Sequence, residues 1–139
     1  MMKVWLVVLG VAVLAGQTTR TVWDGVFTEE QAKRGQASYG EECASCHGVE
    51  LTGGEQAPPL AGAAFLGTWN GLAVGVLYDR MRQSMPQDDP GSLSRQINAD
   101  ILAYMLKANG FPAGKTELEK DSEVLRQIKL ISEKPKKPN

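Results

Sequence analysis

Cys43-Ala44-Ser45-Cys46-His47 decides how the rest of the chain is read, because these five residues hold both cysteines and the one histidine of a 139-residue sequence. Four chemistries compete for them. A disulfide between Cys43 and Cys46 would close a very small loop and so remove little entropy from the unfolded chain. A thiol–disulfide exchange site needs a strand before it and a long helix after it, and Gly48 with Gly53-Gly54 argues against that helix. A structural zinc site wants four ligands, and beyond these three residues only carboxylates remain. The fourth reading fits the spacing, since C-x-x-C-H is the attachment sequence of c-type haem. Two thiols on one helical turn can each add to a vinyl group at one porphyrin edge, and the following histidine is then placed under the iron.

Outward from the motif the chain reads as helices and loops. Upstream, Thr28 is a cap with Gln31 three residues on, as in a capping box, and Glu29 and Glu30 place negative charge on the positive helix end. This predicts a helix from Glu29 to about Gly40, with Ala32, Gly35, Gln36 and Tyr39 on one narrow face of small residues suited to close helix contact. Downstream, the glycines and prolines between Gly48 and Gly71 predict a long loop anchored by Phe65 and Trp69. A second helix is expected from about Leu72 to Gln83, then a turn-rich loop through Pro86, Asp88, Asp89, Pro90 and Gly91. The third has the clearest signature: Ser94 as cap, a stripe of Ile97, Ile101, Tyr104, Met105 and Ala108, and a stop at Asn109-Gly110 before Pro112.

Past Pro112 the apolar residues Leu118, Val124, Leu125, Ile128, Leu130 and Ile131 suggest an arm folded back on the body, and Lys134 to Asn139 should be loose. Neither a repeat nor an alternating strand pattern is visible. The fold class is therefore all-α, three main helices with long Gly/Pro-rich loops. With aromatics at 6%, so little regular structure would struggle to bury enough apolar surface to offset its ordering entropy. One covalently held haem, around which the loops wrap, supplies the missing core.

Met1 to Lys3 begin the chain with positive charge, and the apolar run Val4–Ala15 ends in small residues, the order of a secretory signal peptide. Twelve helical residues reach about 18 Å, short of the ~30 Å hydrocarbon core of a bilayer. The expected organisation is a signal peptide over 1–16, an N-terminal extension over 17–27, a domain over 28–112 and an arm over 113–139. The mature protein is expected in the periplasm, with a membrane role only if the signal segment is retained. Fifteen basic residues against 16 acidic ones leave no basic footprint for nucleic acid. Six lysines lie at or beyond Lys115, while Glu29, Glu30, Glu41, Glu42, Glu50 and Glu55 crowd the first helix and the motif. Such asymmetry steers a charged partner at low salt.

A thioether opposite histidine raises the potential of a haem iron and closes it for electron transfer. Three methionines beyond the signal compete. Met105 lies on an apolar helical stripe and Met81 inside a helix, whereas Met85 sits in a loop stiffened by Pro86, so Met85 is favoured with Met81 as the spare.

These residues, with Ala57-Pro58-Pro59-Leu60-Ala61-Gly62, Trp69, Ser84-Met85-Pro86 and Ile101-Leu102-Ala103-Tyr104, resemble a small monohaem class I cytochrome c of the bacterial periplasmic kind, over about Thr28 to Pro112. The resemblance implies the cytochrome c fold, haem c bound through Cys43 and Cys46, and iron held by His47 and Met85. It also implies that the Pro58 carbonyl bonds the outer nitrogen of His47, that Leu60 packs on the proximal haem face and that the Trp69 ring nitrogen reaches a propionate. It places Gly35 and Tyr39 against Ile101, Leu102 and Tyr104. The function expected is one-electron transfer without enzyme activity, between redox partners such as a dehydrogenase, oxidase or reductase. Two alternatives stay open: the haem subunit of a periplasmic quinoprotein-type dehydrogenase complex, and a gas-binding or gas-sensing haem protein if no methionine binds.

Overall fold

The computed structural model describes residues 19–136. The expected signal peptide and the last three residues of the tail lie outside that range. The first helix, α1 (Glu29–Glu42), begins where Thr28 Oγ1 accepts the Gln31 N–H at 3.1 Å. Only half of the capping box forms. The Gln31 side chain turns inward, donating to Leu118 O at 3.0 Å and accepting from Leu118 N at 2.6 Å. Gln31 is therefore buried beside Ala32, Gly35 and Tyr39, and Gln36, expected on that face, is exposed.

A four-residue helix, α2 (Ala44–His47), follows directly. The segment expected as one long loop contains α3 (Ala63–Trp69), because Gly62 and Gly71 stand at its borders and the apolar run between them is free to coil. Next come α4 (Val74–Ser84) and α5 (Arg95–Ala108), the latter capped by Ser94 Oγ on Ile97 N at 3.2 Å. With α6 (Ser122–Leu125) the described residues hold six helices, of which the three longest are those the sequence predicts. None is long and apolar enough to cross a membrane.

The main packing is α1 across α5. A Cβ on Gly35 would lie 1.7 Å from Asp100 O, so the two backbones touch there. Arg34 brackets the crossing, bonding both Asp100 oxygens at 3.1 and 3.2 Å and Glu117 at 2.8 Å. The rings of Tyr39 and Tyr104 meet at 5.3 Å. The core runs from here through Ile101, Leu102, Met105 and Leu106 to Leu77 and Tyr78 of α4.

The described part of the expected extension, residues 19–27, belongs to this body. Val22, Val26 and Phe27 are buried, and Arg20–Thr21 forms β1, a strand too short to show a sequence pattern. It pairs in parallel with β2 (Ile128–Lys129), Arg20 opposite Ile128. The arm folds back as expected, burying Leu118, Leu125, Ile128 and Leu130, although Val124 points to solvent and Ile131 is half-buried.

Asp79 ties α4 to the arm, accepting from Ser122 Oγ at 2.7 Å and Arg126 at 2.6 Å. Burial pushes its carboxyl up, but these two hydrogen bonds and the charges of Arg126 and Arg82 win and hold it below the usual carboxylate range. A carboxylate depressed in this way stabilises the fold above its unfolded pKa of about 3.9 and loses that contribution as pH falls through the lower folded value. Asp79→Asn should cost less than about 1 kcal/mol at pH 7. Its deficit in urea melts should shrink as the pH is taken below about 4.

Candidate functional site

The motif sits where α1 hands over to α2. Cys43 closes α1, its N–H donating to Tyr39 O at 2.9 Å, and its own carbonyl accepts from Cys46 N at 3.2 Å and His47 N at 3.0 Å. Both thiols are thereby placed on one helical turn. They are not joined to each other; Cys43 is half-buried and Cys46 exposed. Burial, then the charges of Glu42 and Cys46, push the Cys43 thiol up to about 11. A thiol so protonated at neutral pH is a poor exchange nucleophile.

His47 is buried to 8% exposure, and its Nδ1 lies 2.8 Å from Pro58 O. A carbonyl only accepts, so Nδ1 carries a proton, and Nε2 is the nitrogen left over for a ligand bond. Two backbone features bring Pro58 there. Gly53 donates to His47 O at 2.8 Å. Its φ is +76°, and a Cβ on it would stand 2.6 Å from Pro59 N and 2.8 Å from the Pro58 carbonyl carbon. Only glycine lets the 57–59 backbone come so close.

Two residues that sequence reasoning treated as structural hold the two ends of the loop after His47. The Tyr39 hydroxyl donates to Gly48 O at 2.7 Å, and burial pushes its pKa up to about 12, so it remains a donor. Asn109, read only as a helix stop, accepts from Gly62 N and donates to Leu60 O, each at 3.0 Å. Its amide pins the Leu60–Gly62 backbone to the end of α5. An asparagine at a helix C-terminus was the available signal, but its partner lies 49 residues away.

The other expected site residues come from separate elements. Leu60 is half-buried against the core, as is Trp69 at the end of α3, its ring 6.4 Å from Phe65. Met85 caps α4 in extended conformation before a cis bond to Pro86. Met105 is 1% exposed, and Met81 packs on the core. Met85 is half-buried and outside the core cluster, which leaves its thioether the uncommitted one.

These groups fit a haem better than a bare ion. Among the described residues no three His, Cys, Asp or Glu side chains gather as a cage. A planar group can meet two thiols along one edge and an imidazole at its centre.

A profile of the family described as cytochrome C oxidase, cbb3-type, subunit III matches residues 30–105, more than half of the chain. No curated protein matches it. Among solved structures, a chain of the sulfane dehydrogenase SoxCD from Paracoccus pantotrophus is 24% identical over 90% of this chain and 68% of that one, with a TM-score of 0.50. At that identity the likeness speaks for the fold. The family match spans the motif turn, α3, α4 and most of α5, and the chain belongs to this family of c-type cytochrome domains, which transfer electrons through a covalently bound haem c and its iron.

Proposed function

We propose that the protein is a periplasmic one-electron carrier, not an enzyme, with its haem held by Cys43 and Cys46 and its iron by His47 and Met85. The observation that carries this reading is the His47–Pro58 bond of 2.8 Å, which selects the Nε2 lone pair and strengthens it as a ligand. When bound, the haem iron accepts and releases one electron between its ferric and ferrous forms. The chain's part would be to offer His47 and Met85 as the two protein ligands of the iron, so that little has to rearrange when charge moves. Leu60 would cover the His47 side, and the Trp69 ring nitrogen would hold a propionate.

Absorption spectra of the exported holoprotein test the ligands. A pyridine haemochrome of c type and a near-infrared sulfur-to-iron charge-transfer band are expected. Met85→Ala should abolish that band and lower the reduction potential, because the thioether is what raises it. Met81→Ala should keep both. A band that survives Met85→Ala would overturn the ligand assignment, and a wild type without it would turn the reading toward gas binding at an open iron.

The fold likeness to a SoxCD chain favours a second reading, the haem subunit of a larger periplasmic dehydrogenase. Co-purification with a larger subunit through high salt would support it, whereas a carrier elutes alone.

A further inference from the structure

We propose that residues 120–132 of the C-terminal arm form a brace that sets the position of α4 and so keeps Met85 on the iron, with Asp79 as the positioning residue. The inference rests on the Met85 ligand reading above.

Met85 is held more tightly on its α4 side than on its loop side, where its carbonyl accepts only a long bond from Gly91 N at 3.5 Å. Its N–H donates to Met81 O at 3.0 Å, which makes it a continuation of α4. On its other side, residues 86–94 have no helix or strand, and 87–92 are exposed. Wherever α4 goes, the Met85 backbone goes with it, and with it the point from which the sulfur reaches out.

The arm holds α4 more extensively than α5 does. A Cβ on Gly75 would lie 2.6 Å from Arg126 Cγ and 2.7 Å from Ser122 O, so arm and helix are in backbone contact there. One turn on, Asp79 takes the hydrogen bonds of Ser122 and Arg126 at 2.7 and 2.6 Å. The neighbouring Tyr78 hydroxyl lies 2.9 Å from Lys120 O and 3.0 Å from Arg95 O, donating to one at a time. Before α4 the arm grips again: Leu130 N donates to Leu72 O at 2.9 Å and Gly71 N to Leu130 O at 2.7 Å. The arm's far end is in turn tied to the body by β1 and by Trp23 Nε1 on Ile131 O at 2.9 Å.

A thioether is a neutral ligand, and any freedom of the helix carrying it populates a state in which another ligand can take its place. The apparent affinity of a competing ligand scales with the fraction of molecules in that open state. The brace lowers that fraction by holding the sulfur in place beforehand, a separate matter from how stable the whole fold is.

The test titrates imidazole into the ferric holoprotein and follows loss of the near-infrared band. Asp79→Ala and Arg126→Ala should each raise the apparent imidazole affinity about three- to fivefold. Arg126 is half exposed, so its variant folds even if Asp79→Ala does not. Ile101→Val, which weakens the α5 core by a comparable amount, should leave the affinity within twofold while lowering the urea midpoint. The proposal is overturned if the two brace variants stay within twofold of wild type, or if Ile101→Val raises the affinity as much as they do. A band that persists in Met85→Ala would sink the ligand reading itself, which separates that failure from failure of the brace.

Discussion

Gly35→Ala will lower the stability of the holoprotein by about 3 kcal/mol or more, beyond the usual 1–3 for overpacking, and its melting temperature by roughly 10 °C. Two effects oppose each other. Alanine is the better helix former by about 1 kcal/mol, which favours the variant. Against that, the new methyl would sit 1.7 Å from Asp100 O and 2.4 Å from its carbonyl carbon. These are backbone atoms in the middle of α5, and no rotamer change can move them. The helices must separate, and Ala32, Tyr39, Ile101 and Leu102, all buried at the crossing, lose contact together. Gly40 supplies the control on the same helix, since nothing lies within 4 Å of its Cβ position. Gly40→Ala should therefore gain up to about 1 kcal/mol. Thermal melts of the two variants check both signs, and a Gly35→Ala protein as stable as wild type would show that α1 and α5 do not meet backbone to backbone.

What the sequence reveals and what it hides divide along the range of the interactions. The caps at Thr28 and Ser94 are legible because cap and partner lie three residues apart. The motif turn is legible for the same reason, and Gly35 with Tyr39 gave away the crossing through a face of small residues. Gln31 was misread because its partner, Leu118, is 87 residues away and outcompetes the local capping box. α3 was hidden by glycine density, though only Gly67 falls within it. Its neighbours Gly62 and Gly71 adopt positive φ and act as boundaries. The β1–β2 pair, two residues per strand, carries no periodicity at all. In the site, Pro58 came through family resemblance and not through spacing. The Asn109 clamp and the grip of the arm on α4 required coordinates.

Removing both thiols, in Cys43→Ala/Cys46→Ala, will yield a protein in which α1 and α5 persist while residues 48–62 lose their order. Those fifteen residues contain no helix or strand, and Leu51 is the one among them that is buried. Fixing each backbone costs about 1–2 kcal/mol, against the roughly 2 kcal/mol that one buried leucine contributes. Their hydrogen bonds, among them Leu60 N and Ala61 N sharing Leu51 O at 2.8 and 3.2 Å and those with His47, Tyr39 and Asn109, add about 1 kcal/mol each and do not match the cost of ordering fifteen residues. On protein contacts alone the segment cannot hold its shape. A covalent haem changes the balance by giving Leu60, Ala61, Leu66 and Trp69, now half-covered, an apolar face to close on. It also ties His47 and its partner Pro58 to one fixed object. Hydrogen exchange read by mass spectrometry should show fast exchange across 48–62 in the variant and slow exchange in the holoprotein, with α1 and α5 protected in both. Equal protection of 48–62 in the two forms would mean that the protein scaffold orders this loop without the haem, and that the wrapped-loop architecture has another cause.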